Sequence, residues 1–255
     1  MSENPLSGRR ALVTGGGRGI GRALALALGA AGADVALTYV RNAEAAAETV
    51  AALEKLGRRA HSYQGSIAEP EAVDRAVGAA ADDLGGLDLV VSNAGIASRG
   101  RTVADTDPAE LEKVLRVHAL GPHRLAQVAL PHLRRAPRSD LIFVSSIAAH
   151  TFPAGGAPYT MGKAAVEALA HTLAKEEGAH GVHVNIVAPG LVDTEMGFRL
   201  ARATDGVADI REKDVSSPFG HVCSPEQVAE AVLFLVTAGY VHDHRLVVDG
   251  GAGGL

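Results

Sequence analysis

Tyr159 and Lys163 stand four residues apart in an alanine-rich stretch, APYTMGKAAVEALA, that reads as a helix, so both project from one face. A phenol beside an ammonium is an acid whose anion the neighbouring positive charge stabilises, which lowers the tyrosine pKa. Ser146 follows the apolar run LIFVS at 141–145, a buried strand by its composition, and can aim a hydroxyl at the same spot. Such a trio can pass a proton to or from a substrate oxygen. Ser145 is the neighbour of Ser146, but side chains alternate along a strand, so it points to the other side. Tyr-x-x-x-Lys is common by chance, and a surface tyrosine near a lysine usually carries no chemistry. The rest of the chain has to decide.

A second constellation lies near the start. The glycine run GGGRGIG at 15–21 sits between a short apolar strand at 11–14 and a helix beginning IGRALALALG. Glycines allow close approach of the backbone to a pyrophosphate, and a helix N-terminus offers free N–H groups with a positive dipole end. Strand, glycine loop and helix in that order are the context a dinucleotide site needs.

The positioning elements follow from hydrophobic patterning. Strands are expected at 33–39, 59–64, 87–92, 141–145, 182–188 and 246–248, with helices at 42–56, 70–84 and 225–237 between them. A long helical region spans about 108–135, bent or segmented by Gly121-Pro122 and Pro131. The segment 191–219 is poorly periodic and reads as a lid, and the residues before Gly8 read as a loose tail. Alternating strands and helices predict an α/β fold: a single-domain, Rossmann-type, doubly wound parallel sheet of about seven strands with helices on both faces. One domain is expected over 1–255, because no linker, repeat or composition break interrupts the chain. The glycine loop, Asn93-Ala94-Gly95, Ser146 and Pro189-Gly190 all leave strands at one sheet edge, where ligands bind in such folds.

Composition narrows the function. A net charge of −5 and no tryptophan argue against nucleic-acid binding. The single cysteine, Cys223, excludes an internal disulfide and suits a reducing compartment, so a cytoplasmic location is expected. MSENPLSGRR lacks the apolar core of a signal peptide, and no apolar run is long enough to span a membrane.

The ordered set TGGGRGIG at 14–21, NAG at 93–95, Ser146, YTMGK at 159–163, APG with Thr194 four residues on, and the terminal DGG resembles the classical branch of the short-chain dehydrogenase/reductase family, nearly end to end. Within it the chain looks most like 3-oxoacyl-[acyl-carrier-protein] reductases and related ketoreductases. The resemblance implies hydride transfer between a nicotinamide and a carbonyl carbon. It implies Tyr159 as proton donor, Ser146 as the group holding the carbonyl oxygen, and Lys163 on the nicotinamide ribose, depressing the Tyr159 pKa. It also implies dinucleotide contacts at Gly15, Gly17, Arg18, Gly19, Ile20, Gly21, Tyr39, Arg41, Ser66, Asn93, Ala94, Gly95, Tyr159, Lys163, Pro189, Gly190, Val192 and Thr194. Tyr39 stands where NAD-specific relatives carry an acid at the end of the second strand, while Arg18 and Arg41 can clamp a 2′-phosphate. NADP(H) is therefore favoured over NAD(H).

Some positions depart from the family pattern. His118 occupies the place of the asparagine that usually helps hold a relay water, and imidazole can donate, accept or charge near neutral pH. Its alternatives are a proton relay or plain helix packing. Ser66 replaces an acid expected to hold the adenine, and His242-Asp243-His244 replaces a Thr-Gly pair. Two histidines around an aspartate lack a complete ligand set, so no metal is expected. Cys223 reads as structural, with nothing nearby to activate it.

For the substrate, Met196, Phe198, Leu200 and Phe219 can line an apolar pocket, and Arg199, Arg202, Arg211 and Lys213 can meet phosphate or acidic surfaces; a solvated mobile lid is the alternative. Arg134, Arg135 and Arg138 are a candidate docking patch for an acyl carrier, whereas His180 stands at a position often basic in carrier-protein reductases. Small residues Ala164, Ala165, Ala168 and Ala170 on the Tyr159 helix, with the resemblance, point to a homotetramer. Alternative functions are a secondary-alcohol, steroid or sugar dehydrogenase, or a non-catalytic nucleotide sensor.

Overall fold

The computed structural model describes residues 4–217 and 219–252, with the backbone alone at 203–205. Arg10–Val13 (β1) passes through the glycine turn into Gly19–Ala30 (α1), followed by Asp34–Tyr39 (β2) and Ala43–Lys55 (α2). Ala60–Gln64 (β3), Pro70–Leu84 (α3) and Leu89–Ser92 (β4) complete the first half. Then come Pro108–Leu115 (α4), a π-helical turn at Arg116–Leu120, Gly121–Leu133 (α5), Ser139–Val144 (β5) and the short Ala148–Thr151 (α6). Ala157–Glu177 (α7) leads to Val182–Pro189 (β6), Glu195–Asp205 (α8), a 3-10 stretch at Ile210–Ser216, Pro225–Thr237 (α9) and Arg245–Val248 (β7).

The strands form one sheet in the order β3-β2-β1-β4-β5-β6-β7, every neighbouring pair parallel. Chain order reverses between β1 and β4, which opens a crevice at their C-terminal ends. Both faces are covered, so the central strands β1, β4, β5 and β6 are mostly apolar and buried. In β5, Ile142 and Val144 pack with Leu24, Leu28 and Val232 on one side, whereas Leu141 and Phe143 pack with Val77, Leu125 and Val166 on the other.

Local chemistry sets the boundaries. Asn42 caps α2 by accepting from the Ala45 N–H, and Pro70 opens α3 where its missing N–H is harmless. Between α4 and α5 the expected break is neither a bend at Pro131, which stays inside α5, nor a gap. It is the π-turn, where the Gly121 N–H donates to the Arg116 carbonyl five residues back. Pro122 has no N–H to offer, so the extra residue is absorbed there. Gly121 is required as well, because a Cβ at this position would overlap the Ile67 carbonyl.

The loose-tail expectation for residues before Gly8 needs correction. Leu6 is buried, and its N–H donates to the Ala31 carbonyl at 2.9 Å, sealing the C-terminal end of α1. Residues 1–3 of that tail lie outside the described residues. The segment 191–219 is more ordered in backbone than expected, since α8 and the 3-10 stretch occupy most of it.

Candidate active site

The glycine turn is bound to the switch point by threonine and asparagine. The Thr14 hydroxyl accepts from the N–H groups of Asn93 (2.9 Å) and Ala94 (3.0 Å), and the Asn93 amide donates to the Thr14 carbonyl at 2.9 Å. Thr38 holds the turn from the other side, its hydroxyl accepting from the Gly15 N–H at 3.1 Å. A Cβ on Gly16 would stand 2.6 Å from the Leu37 Cβ, and one on Gly21 would overlap the Gly15 carbonyl, so this turn admits only glycine there. Gly15 and Gly19 also take positive φ values of 68° and 53°. No side chain caps the start of α1, which leaves its first N–H groups for a ligand.

From the NAG segment the contacts continue to the catalytic candidates. The His118 ring lies on the π-turn, 2% exposed, with Nε2 2.8 Å from the Ile96 carbonyl oxygen. It packs edge-to-face on the Tyr159 ring at 5.2 Å between centroids. Two glycines make its room: a Cβ at Gly95 would be 2.8 Å from its Cε1, and one at Gly162 would be 2.7 Å from its Cβ. The Lys163 ammonium lies 5.6 Å from the Tyr159 ring centroid and donates to the Val144 carbonyl at 2.8 Å. Ser146 stands two residues beyond β5, near enough to the Tyr159 phenol to favour its ionised form, and its hydroxyl accepts from the Ala148 N–H at 3.2 Å. Ile147 donates to Pro189, joining the Ser146 loop to the Pro189-Gly190 turn, and the Thr194 side chain lies against Gly19. Glycine turn, NAG, His118, Tyr159, Lys163 and Ser146 thus form one connected wall of the crevice.

The chain is similar to known proteins in sequence and in fold. The family model described as enoyl-(acyl carrier protein) reductase matches residues 15–253. The chain belongs to the short-chain dehydrogenase/reductase family. It is 37% identical to versicolorin reductase stcU of Emericella nidulans over 261 residues, covering 97% of this chain and 96% of that protein. It is 34% identical to an L-rhamnose 1-dehydrogenase (NAD(P)(+)) of Sphingomonas sp., covering 96% of each. A short-chain dehydrogenase from Burkholderia cenocepacia, solved in complex with NADP, superposes with a TM-score of 0.88 at 37% identity, covering 98% of this chain and 99% of that one.

Electrostatics in this short-chain oxidoreductase differ from the simple Tyr–Lys picture. Burial pushes the Tyr159 phenol up to about 12, with the Ser146 hydrogen bond pulling the other way. Lys163 is not among the groups that move it, and its ammonium donates to the Val144 carbonyl. Burial brings Lys163 down to about 8, opposed by the charge of Glu167. Burial and then the Lys163 charge lower His118 to about 3, so it stays neutral near pH 7 and does not charge there as its residue type suggested.

The remaining candidates have these neighbours. Ile20 and Tyr39 pack against the apolar core, and the Val192 side chain is part of it. Arg18 and Arg41 are exposed, with Arg18 ion-paired to Glu195 of α8. Ser66 is half-buried, and its hydroxyl accepts from the Ala68 N–H at 3.2 Å. Gly17 packs on Ala46 of α2. His242 spends both ring nitrogens on backbone, at Val184 and Ala174, and no cluster of metal-ligating side chains occurs among the described residues. Burial, and then the Glu230 charge, raise the Cys223 thiol, in keeping with a structural role. Of the basic docking patch, Arg134 is paired with buried Glu177, and Arg138 donates to the Val236 and Ala238 carbonyls; both serve the fold. No helix among the described residues is long and apolar enough to cross a membrane.

Sequence reasoning passed over Glu167 and Arg245. Glu167 is a buried acid in an alanine-rich helix, one turn beyond Lys163, and that misfit was the signal that could have found it.

Proposed function

We propose that this oxidoreductase is an NADP(H)-dependent ketoreductase acting on a 3-oxoacyl or polyketide-type carbonyl, with Tyr159 as general acid. The meeting of the Tyr159 phenol, the Ser146 hydroxyl and the buried Lys163 ammonium on one wall carries the reading. The bare glycine turn and uncapped α1 fit a dinucleotide pyrophosphate, held by Gly15, Gly17, Gly19 and Gly21, with Asn93, Ala94, Gly95, Pro189, Gly190 and Thr194 along the crevice. When bound, the nicotinamide supplies a hydride to the carbonyl carbon.

The residues of the chain do the rest. Ser146 donates to the carbonyl oxygen and orients it. Tyr159 gives its proton as negative charge builds on that oxygen. A phenol held near 12 keeps its proton ready at pH 7. Lys163, charged below about 8 and 5.6 Å from the phenol ring centroid, would hold the ribose hydroxyls of a bound dinucleotide. His118 serves the wall as a neutral imidazole, able to take the usual asparagine's place in the relay by donating or accepting without charging. The segment 191–219 is the substrate lid; Met196, Leu200 and Phe219 are exposed on it and available to an apolar ligand.

NADP(H) is favoured because β2 ends in Tyr39 rather than an acid, and two exposed arginines flank the position. The Arg18–Glu195 pair is solvent-exposed and worth about 1 kcal/mol or less, so a 2′-phosphate can displace it. Similarity to a versicolorin reductase and to an NADP-bound dehydrogenase supports the same reading; similarity to a rhamnose dehydrogenase keeps sugar oxidation as the second. Ala164 and Ala168 are exposed on α7, as a homotetramer packed through that helix requires, and light scattering reads its mass. A cytoplasmic setting accords with the lone, half-buried thiol.

Steady-state oxidation of NADPH and NADH with β-ketoesters, polycyclic aromatic ketones and, in reverse, sugars tests the proposal, with Tyr159→Phe as control. Turnover of ketones with higher kcat/KM for NADPH, abolished in the control, is expected. Preference for sugars with NAD+, or tight NADPH binding with no turnover, overturns it.

A further inference from the structure

We infer that Glu167 is a positioning residue for this reaction: one buried carboxylate ties down the loop that carries Ser146 and sets a negative charge one turn from Lys163. The inference rests on the Ser146, Tyr159 and Lys163 reading of the site.

Glu167 is 5% exposed. Its Oε1 accepts from the Ser145 hydroxyl at 2.6 Å and from Arg245 Nε at 2.9 Å, and its Oε2 lies 2.7 Å from His150 Nε2. These partners are not scattered. Ser145 precedes Ser146 directly, His150 closes the same loop in α6, and Arg245 Nη2 reaches the Ser146 carbonyl at 3.4 Å. One side chain therefore grips the Ser146 loop at both ends and links it to β7. The strand alternation that turns Ser145 away from Ser146 is what lets Ser145 meet Glu167 on the other side.

The charge has a second effect. Lys163 is faced by His118 from the π-turn, by Tyr159 and Glu167 from its own helix, and by the Val144 carbonyl from β5. Behind Glu167 stand His150 from α6 and Arg245 from β7. Glu167 is the group opposing the desolvation of the buried ammonium. Burial alone would raise the Glu167 carboxyl, but hydrogen bonds from Ser145, Arg245 and His150 hold it below its ordinary range, so it is an anion at working pH.

The test is the pH dependence of kcat/KM for ketone reduction, with thermal melts alongside. Reduction needs Lys163 charged, so activity falls as pH rises through its pKa; removing the opposing anion moves that fall to lower pH. Glu167→Gln is expected to shift the basic limb down by about one pH unit. Glu167→Asp keeps the charge but withdraws it from the loop, so the limb stays near the parent while kcat drops about 10-fold. A Glu167→Gln profile that overlays the parent, with only a lower melting temperature, overturns the inference and leaves a structural ion cluster. Should Glu167→Gln fail to fold, Ser145→Ala removes a single tether and keeps the carboxylate. A several-fold loss of kcat at unchanged KM for NADPH supports the role, and parental kinetics overturn it. Tyr159→Phe run in parallel separates the two levels. An inactive Tyr159→Phe beside parental Glu167 variants sinks positioning alone, whereas an active Tyr159→Phe sinks the site reading as well.

Discussion

Lys163 and Arg199 are both cations on helices beside the crevice, yet they are held in opposite ways. Lys163 is 5% exposed, donates to a strand carbonyl and is backed by a buried carboxylate with three further partners. Arg199 is exposed, as is its partner Glu195, which also meets Arg18. The same contrast runs through both regions. In the wall from β5 to α7, Ser145, Lys163 and Glu167 are desolvated and each has a fixed partner, so their geometry is over-determined. In the proposed lid, Met196, Leu200 and Phe219 are exposed and the ion pairs there are worth little. Proton transfer needs the first kind of construction, because misplacement by an ångström is expensive. Accommodating different ketones suits the second.

The contrast would break if the wall tolerated change or the lid did not. The largest effect is expected for Lys163→Met, with kcat/KM for reduction falling by about 10²–10⁴-fold. Its fold should hold, because Glu167 keeps Ser145, His150 and Arg245 as partners; near-parental turnover would place the wall's chemistry elsewhere.

Next comes acid stability. His118 binds its proton more weakly folded (about 3) than unfolded (6.5), so the unfolded chain carries the extra proton between those values. Stability contributed by the neutral ring is complete above pH 6.5 and is lost as pH falls toward 3, by an amount on the order of a few kcal/mol. Urea melts of His118→Gln should show a flatter decline over that window, and a parallel decline would mean that the ring titrates normally.

Gly162→Ala sharpens the comparison further. Its Cβ would meet the His118 Cβ at 2.7 Å, with a predicted loss of about 1–3 kcal/mol in unfolding free energy. The smallest effect is reserved for the lid: Phe219→Ser, at a side chain 76% exposed, should change stability by less than about 0.5 kcal/mol. It should instead raise KM for apolar ketones, and a large drop in melting temperature would show the lid to be part of the core.

Some of this was plain in the residue string. Helices α3 and α9 run over the residues that periodicity and proline placement mark out, and α2 starts after its asparagine cap. Parallel strands alternating with helices required a doubly wound sheet. Other features had no local signature. The short α6 holds only four residues, too few for periodicity to register. Leu6 looks like part of a polar tail until α1 is folded beside it. Arg134 and Arg138 look like a surface patch until Glu177 and the end of α9 take them up.

The sequence by itself determined the elements, their order, the glycine turn and the spacing of Tyr159 and Lys163, because these depend on residue types a few positions apart. Only the tertiary structure decided what those groups are chemically. The π-turn that seats His118 against Tyr159, the carbonyl that takes up Lys163 and the carboxylate of Glu167 behind Ser146 come from segments far apart in the chain. A side chain's acidity is set by the charges and the water around it. Neither exists until those segments are packed together.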